Sequence, residues 1–255
     1  MLHDTLSRIL FPGAKKFLYQ QYVRGNFAMS RATSRDGVVT VSGVRLIADE
    51  ALFGPDVVRL MHRGDYEGRE ARMVRQFLEP SDRVLELGAG LGFIGLLCAK
   101  TIGASEVFSF EANPMMEPHI RRHYELNDLH PNLTIGLLSE SGGATEATLY
   151  VPEVFWAASL EEIPDARPVT TPIVPLNETI AKLNPTFLMM DIEGAEIEIV
   201  KSLAPGTIRK IAMETHPAMT GQASIDQMIS RLDELGFSIA WRSGPEEHLY
   251  FERRS

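Results

Sequence analysis

Acidic side chains follow four of the five central strands that the sequence predicts. Each acid stands at or next to the residue where a run of apolar residues ends. In chain order these acids are Glu86, Glu111, Asp191 and Glu214. A carboxylate can attract a cationic group, accept hydrogen bonds from hydroxyls or take a proton from a reacting group. The pattern therefore predicts an anionic ligand site assembled from several strand ends.

A glycine-rich turn follows the first of these strands. Gly88, Gly90 and Gly92 are spaced Gly-x-Gly-x-Gly, and Phe93 breaks the Gly-x-Gly-x-x-Gly fingerprint of dinucleotide-binding folds. Glycines permit a tight turn and let a ligand approach the backbone closely. Glu86, two residues before the turn, would repel a pyrophosphate but attract an ammonium or sulfonium group. The turn and its acid together favour S-adenosylmethionine, which carries both cations and no phosphate.

Two further acids fit the same ligand. Glu111 ends the second strand, where a carboxylate can accept hydrogen bonds from both hydroxyls of a ribose. The alternative is a solvated acid that the dipole of the following helix stabilises. The same dipole explains Glu193 and Glu196, which open a predicted helix, but it explains Asp191 less well. Asp191 directly ends an apolar strand beside the expected ligand cleft.

Alternating strands and helices must position these acids. Strands are predicted at 83–87, 106–110, 133–138, 186–190 and 208–213, with helices at 91–101, 115–126 and 193–203. Residues 237–241 and 248–252 flank a turn and predict a closing hairpin. Repeated strand–helix units need a mostly parallel α/β sheet with helices on both faces, and the hairpin adds an antiparallel strand. Ligands bind outside the carboxyl ends of such strands.

The sequence resembles the FkbM family of class I methyltransferases over residues 36–254. The matching pieces are Gly64-Asp65-Tyr66-Glu67 with Glu70, residues 84–92, Phe110-Glu111-Ala112-Asn113-Pro114, residues 188–196 and Glu214-Thr215-His216-Pro217. The resemblance implies S-adenosylmethionine as cofactor. It also implies a Rossmann-like sheet of seven mostly parallel strands with a reversed late strand. Glu86 and Gly90 depart from the family pattern, since many relatives have Asp and Asn there.

The resemblance also implies roles for single residues. Glu86 and the glycine turn hold the methionine part, Glu111 holds the ribose, and Ser139, expected just after the third strand, lies by the adenine. The predicted cofactor site comprises Glu86, Gly88, Ala89, Gly90, Glu111, Ala112, Asn113, Ser139 and Asp191.

Three residues are predicted to be catalytic. A hydroxyl acceptor benefits from a base with a pKa near neutrality, and His216 is the best candidate. Asp191 is the alternative base, or orients the acceptor. Glu214 holds His216, or helps Asp191 to bind a divalent cation. His216 could also be no more than the end of a strand before Pro217.

No dedicated metal-ligand spacing is present, and no metal is predicted. His119 and His123 have the i, i+4 spacing of a zinc site, but Arg121 and Arg122 lie between them. A solvated helix face is the preferred interpretation of these histidines.

Composition restricts the partners and the compartment. The net charge of −9 argues against nucleic acid as the main partner, and the single cysteine suits a reducing, cytoplasmic compartment. No segment approaches the roughly 20 apolar residues of a membrane span. Residues 1–35 form a basic, aromatic arm that packs on the domain, covers the site or makes a homo-oligomer contact. The catalytic domain is predicted at 36–255.

The sequence allows more than one methyl acceptor and more than one class of protein. The resemblance favours the hydroxyl of a small molecule or a sugar, with residues 139–175 and the arm as pocket walls. A nicotinamide-dependent oxidoreductase is opposed by the broken fingerprint, by Glu86 and by the lack of a Tyr-x-x-x-Lys pair. A protein that only binds S-adenosylmethionine as a regulatory ligand is opposed by the acids near Asp191.

Overall fold

The computed structural model of the protein describes residues 37–140, 143–152, 158–244 and 248–254. The predicted arm at 1–35 lies outside the described residues. The strands are β1 Gly37–Val41, β2 Val44–Ala48, β3 Val84–Leu87, β4 Val107–Glu111, β5 Asn132–Ile135, β6 Leu137–Ser139, β7 Glu146–Val151, β8 Arg167–Pro175, β9 Phe187–Met190, β10 Lys210–Glu214, β11 Phe237–Ser243 and β12 His248–Arg253. The α-helices are α1 Glu50–Phe53, α2 Pro55–Arg63, α3 Gly68–Phe77, α4 Phe93–Ile102, α5 Glu117–Asn127, α6 Leu176–Leu183, α7 Glu196–Ser202, α8 Pro217–Thr220 and α9 Gln222–Glu234.

Seven strands form the central sheet, in the order β11-β12-β10-β9-β3-β4-β5. The pairs from β10 through to β5 are parallel, whereas β12 runs antiparallel to both of its neighbours. This confirms the predicted sheet with one reversed late strand. The chain moves outward from β3 to β5 and returns to β9 on the other side of β3. The order therefore reverses between β3 and β9, and a ligand is expected at their carboxyl ends.

Both faces of the sheet are covered, because successive residues of a strand point to opposite sides. Val84 and Phe187 pack in a core with α3, α4, α5 and the hairpin β1–β2, whereas Leu85 and Leu188 pack in a core with α6, α7 and α9. Helix α4 is apolar nearly all round and buried from Phe93 to Ala99, because it lies between the sheet and the hairpin. None of the helices in the described ranges is long and apolar enough to cross a membrane.

A second sheet of three strands, in the order β6-β8-β7, is inserted between β5 and β9. The predicted strand at 133–138 is wrong in one respect, since it divides at Gly136 into β5 and β6. A Cβ on Gly136 would lie 2.9 Å from Cγ2 of Val174, so the chain passes too close to β8 for a longer side chain. Strand β8 was not predicted because its prolines, at 168, 172 and 175, are disfavoured inside sheets.

Strands β1 and β2 form an antiparallel hairpin, and its turn has Ser42 and Gly43 at positive φ. It is held by α5. The backbone N–H of Ile47 donates to Nε2 of His123, 3.1 Å away, and Nδ1 of His123 lies 2.9 Å from the carbonyl oxygen of Leu91. The solvated face predicted for His123 is therefore wrong: the ring is buried, with Nε2 bonded to the hairpin and Nδ1 bonded to the turn before α4.

Candidate active site

The glycine turn joins the ends of β3, β4 and β9. The N–H groups of Gly88 and Ala89 donate to the carbonyl of Phe110, at 2.9 and 3.1 Å. The N–H of Asp191 donates to the carbonyl of Leu87, at 3.1 Å. A Cβ on Gly88 would lie 2.0 Å from the backbone oxygen of Asp191, and its φ is +86°. Only glycine fits there, and it brings Asp191 against the turn.

Glu111 is fixed at the same edge by backbone N–H groups. Its Oε2 accepts from Gly90 at 2.9 Å and its Oε1 accepts from Asn113 at 2.8 Å. Burial raises the pKa of Glu111, and the bonds from the N–H groups of Asn113, Gly90 and Ala112 only partly offset that effect. Nδ2 of Asn113 is buried without a hydrogen-bond partner among the described residues. The structure thus brings together four predicted cofactor residues: Gly90, Glu111, Ala112 and Asn113.

Glu86 does not line the open edge. Its carboxyl is only 3% exposed and lies beneath α4, where it accepts hydrogen bonds from the Ser109 hydroxyl and the N–H of Gly95. Burial raises the pKa of Glu86 to about 7, although both bonds act in the opposite direction. Glu86 therefore lies behind the glycine turn.

Ser139 also differs from its expected position. It is the last residue of β6 in the small sheet, paired with Pro175, and not the residue after a central strand. The start of β6 is nevertheless tied to the ligand edge, because the N–H of Gly136 donates to the backbone carbonyl of Glu111 at 2.8 Å.

Glu67 is a site residue that the sequence did not assign. It precedes α3 with a φ of +43°, and its Oε1 lies 3.8 Å from where a Cβ of Gly90 would be. Burial and the charge of Glu70 raise the pKa of Glu67, and the Tyr66 hydroxyl donates a hydrogen bond to it. The motif Gly64-Asp65-Tyr66-Glu67 carried the signal, but nothing in its pattern shows that the chain before the sheet reaches the turn.

His216 and three carboxylates form one group at the ends of β9 and β10. Nε2 of His216 lies 3.8 Å from Oδ1 of Asp191 and 3.5 Å from Oε2 of Glu193, and Nδ1 lies 3.6 Å from Oε1 of Glu196. These separations exceed hydrogen-bond lengths, and Asp191 Oδ1 and His216 Nδ1 are buried without a partner among the described residues. Polar groups that are buried but not bonded to one another are typical of a site that a ligand completes.

The charges of this group set its protonation. Burial lowers the pKa of His216, but Glu196, Glu193 and Asp191 outweigh it and raise the value to about 9. Burial, Glu214 and Glu193 raise the pKa of Asp191 far above its usual range. At neutral pH the imidazole of His216 therefore carries a proton, whereas Asp191 has gained affinity for one.

Glu214 belongs to a second group. His248 Nε2 is hydrogen-bonded to Oε1 of Glu70 and lies 3.8 Å from Oε2 of Glu214. Glu214 was expected to hold His216, but its ion pair in the described structure is with His248. Neither Glu70 nor His248 was given a role from the sequence, since they lie far apart along the chain and belong to α3 and β12.

Each of the two groups brings three potential metal ligands within 4.8 Å of one another. The first set is Glu70, Glu214 and His248, and the second is Asp191, Glu196 and His216. Ion pairs account for these spacings without a cation, since each group contains one histidine between carboxylates. We therefore assign no metal to either group.

The single reversed strand, the glycine turn and the acids at the strand ends define a class I methyltransferase. The FkbM methyltransferase domain profile matches residues 87–239, more than half of the chain, and the chain belongs to this family. It is an S-adenosylmethionine-dependent methyltransferase by that membership, and this excludes the nicotinamide alternative. No curated protein matches the chain.

The solved structures that are similar to the chain include the following three methyltransferases. The ribosomal protein L11 methylase of Lactobacillus delbrueckii subsp. bulgaricus is 12% identical with a TM-score of 0.46, over 75% of this chain and 80% of that one. The tRNA (uracil-54, C5)-methyltransferase of Pyrococcus abyssi, in complex with S-adenosyl-L-homocysteine, is 13% identical with a TM-score of 0.46, over 87% and 45%. Precorrin-6y C5,15-methyltransferase of Geobacter metallireducens is 13% identical with a TM-score of 0.43, over 71% and 84%. Identities this low carry no information on the acceptor.

Proposed function

We propose that this protein transfers the methyl group of S-adenosylmethionine to a hydroxyl oxygen of a small molecule or a sugar. One observation carries the proposal. Asp191, a carboxyl with a strongly raised pKa, is held against the glycine turn by the close contact between its backbone oxygen and Gly88. A proton acceptor thus lies next to the backbone turn that receives the methyl donor.

The residues at the edge suit S-adenosylmethionine, which supplies an electrophilic methyl group on a sulfonium when it is bound. Glu111 retains free lone pairs beyond its two backbone bonds, so it can accept the ribose hydroxyls. The unpartnered Nδ2 of Asn113 and the residues Ala112 and Ser139 would face the nucleoside. Gly88, Ala89 and Gly90 would receive the methionine part, and Glu86 behind them would add negative charge for its ammonium group.

Asp191 is the better base of the two candidates. With S-adenosylmethionine bound at this edge, its methyl group would pass to the acceptor oxygen, and S-adenosylhomocysteine would leave with the electrons of the broken carbon–sulfur bond. The proton of the acceptor hydroxyl passes to the Asp191 carboxylate. His216 already carries a proton at neutral pH, so it orients Asp191 and the acceptor and does not remove the proton. Glu214 contributes charge next to Asp191.

We also propose the wider context of the enzyme. The acidic composition and single cysteine suit a cytoplasmic enzyme that acts on a small molecule and does not bind nucleic acid. The catalytic domain occupies 36–255, and the basic, aromatic arm at 1–35 packs on it or joins two copies.

A screen with methyl-labelled S-adenosylmethionine tests the function. Sugars, polyhydroxylated natural products and amines are offered to the wild-type protein and to the Asp191→Asn variant. We expect label on a hydroxyl oxygen with the wild type only. Label on nitrogen would refute the acceptor class, and binding without transfer to any acceptor would favour a regulatory protein.

A further inference from the structure

We propose that Glu70 and His248 are positioning residues for methyl transfer. The His248 imidazole, held by the Glu70 carboxylate, fixes the Glu214 carboxylate at the ligand edge beside Asp191. This inference rests on the proposed function and adds two residues to its site. Both lie outside residues 87–239, the segment that the family profile matches.

Three separate elements bring these side chains together. Glu70 is in the first turn of α3, Glu214 ends β10, and His248 begins β12. Because β12 is antiparallel to β10, Glu214 and His248 are register partners. Nε2 of His248 is hydrogen-bonded to Glu70 on one side and lies 3.8 Å from Glu214 on the other. The imidazole therefore bridges a buried acid and an acid at the ligand edge.

Burying these charged side chains costs free energy unless opposite charges lie next to each other. His248 is 2% exposed, and Glu70 is also buried. Burial acts to raise the pKa of Glu70, but the hydrogen bond and charge of His248 outweigh it and lower the pKa. Glu214 lies nearer the surface, and burial raises its pKa while His248 acts to lower it. The imidazole thus favours the ionised form of both carboxyls.

The pair reaches the reaction through Glu214, because Met213 and Met190 are register partners on the parallel strands β10 and β9, so the residues that follow them, Glu214 and Asp191, lie side by side. Among the charges that raise the pKa of Asp191, Glu214 has the largest effect, followed by Glu193, while His216 acts in the opposite direction and Glu70 adds a smaller increase. An ionised Glu214 makes Asp191 a stronger base. If His248 is removed, Glu214 binds a proton more readily, and the pKa of Asp191 falls toward its usual range.

The backbone does not need the His248 side chain. Strand β12 pairs in register with β10 and with β11, and its backbone is held from His248 to Arg253. A merely structural ion pair would change stability when it is broken, but it would not move the titration of Asp191. The titration of Asp191 therefore distinguishes a positioning role of His248 from a purely structural one.

The test is the titration of the Asp191 carboxyl, followed by carbon-13 NMR in the full-length protein labelled at aspartate carboxyls and assigned with Asp191→Asn. The variants are His248→Gln and Glu70→Gln, with Tyr250→Phe as control. Tyr250 is a buried residue of the same strand, and its hydroxyl donates to Glu252. We expect His248→Gln to lower the midpoint by about one pH unit, a tenfold change in proton affinity, and Tyr250→Phe to leave it unchanged.

Glu70→Gln should also lower the midpoint, partly because the charge of Glu70 itself acts on Asp191, so His248→Asn is the variant that keeps the proposal testable if His248→Gln does not fold. Identical midpoints in wild type and the folded variant would overturn the positioning role while methyl transfer stands. If the screen found no acceptor that is methylated, the proposed function would be overturned. The titration needs no acceptor, so it measures the effect of His248 on Asp191 independently of that result.

Discussion

The two halves of the ligand edge satisfy their acids in different ways. On the β3–β4 side, Glu111 at the edge accepts hydrogen bonds from two backbone N–H groups, and Glu86 behind the glycine turn accepts from a hydroxyl and a backbone N–H. On the β9–β10 side, Asp191 faces His216, and neither Oδ1 of Asp191 nor Nδ1 of His216 has a hydrogen-bond partner among the described residues. Fixed acids hold a ligand in one position, whereas acids that are not satisfied can exchange protons. We therefore propose that the first half binds the methyl donor and that the second half carries out the chemistry.

The largest expected effect comes from Asp191→Asn. The amide keeps the size of the side chain but cannot take the acceptor proton, and loss of a general base costs about 10²–10⁴-fold in kcat. Turnover with a saturating methyl donor measures it. A variant as active as the wild type would remove Asp191 from the mechanism and break the division between the halves.

Glu111→Ala comes next. It removes the acceptor for the ribose hydroxyls and frees the N–H groups of Gly90 and Asn113. We expect the affinity for S-adenosylmethionine to fall by about 100-fold, since two charge-assisted hydrogen bonds are lost, while circular dichroism shows an intact fold. Unchanged affinity would mean that the ribose lies elsewhere.

Glu86→Gln tests the β3–β4 side through the pH dependence of the free energy of unfolding. The pKa of Glu86 is raised in the folded protein to about 7, so its contribution to stability is fully present below its unfolded pKa and is lost as the pH rises toward 7. The difference in free energy of unfolding, variant minus wild type, should therefore increase by up to about 3 kcal/mol between pH 4 and pH 8. Urea melts at the two pH values measure the increase. The same difference at both pH values would show that the folded protein does not oppose the ionisation of Glu86.

The smallest expected effect is that of a chelator. Ion pairs account for the groups around His216 and His248, so EDTA should leave the rate of methyl transfer unchanged. Loss of activity that Mg²⁺ or Mn²⁺ restores would instead place a cation between Asp191, Glu196 and His216.

The sequence predicted one half of the edge better than the other, for a physical reason. Gly90, Glu111 and Asn113 lie on two consecutive strand–turn units, so spacing along the chain reflects spacing in the fold. Glu67 reaches the glycine turn from before the central strands, and Glu70 and His248 reach the second half from before and after them. Only tertiary packing brings them together, and no local pattern records it.

The same contrast holds for the fold. Central strands and their helices follow from runs of apolar residues, and these were found with boundaries shifted by a few residues. Strand β8 and the break at Gly136 were missed, because prolines oppose a strand and the break depends on contact with Val174. The prediction of His216 as base did not take account of the three carboxylates around its imidazole, which raise the pKa of His216 to about 9.

The most direct test of the account is a calorimetric titration of S-adenosylmethionine into the wild type, Glu111→Ala and Asp191→Asn side by side. We predict saturable binding of one ligand per chain to the wild type, binding within about threefold of it to Asp191→Asn, and severe weakening in Glu111→Ala. No binding to the wild type, or equal losses in both variants, would contradict the separation of a binding half from a chemical half.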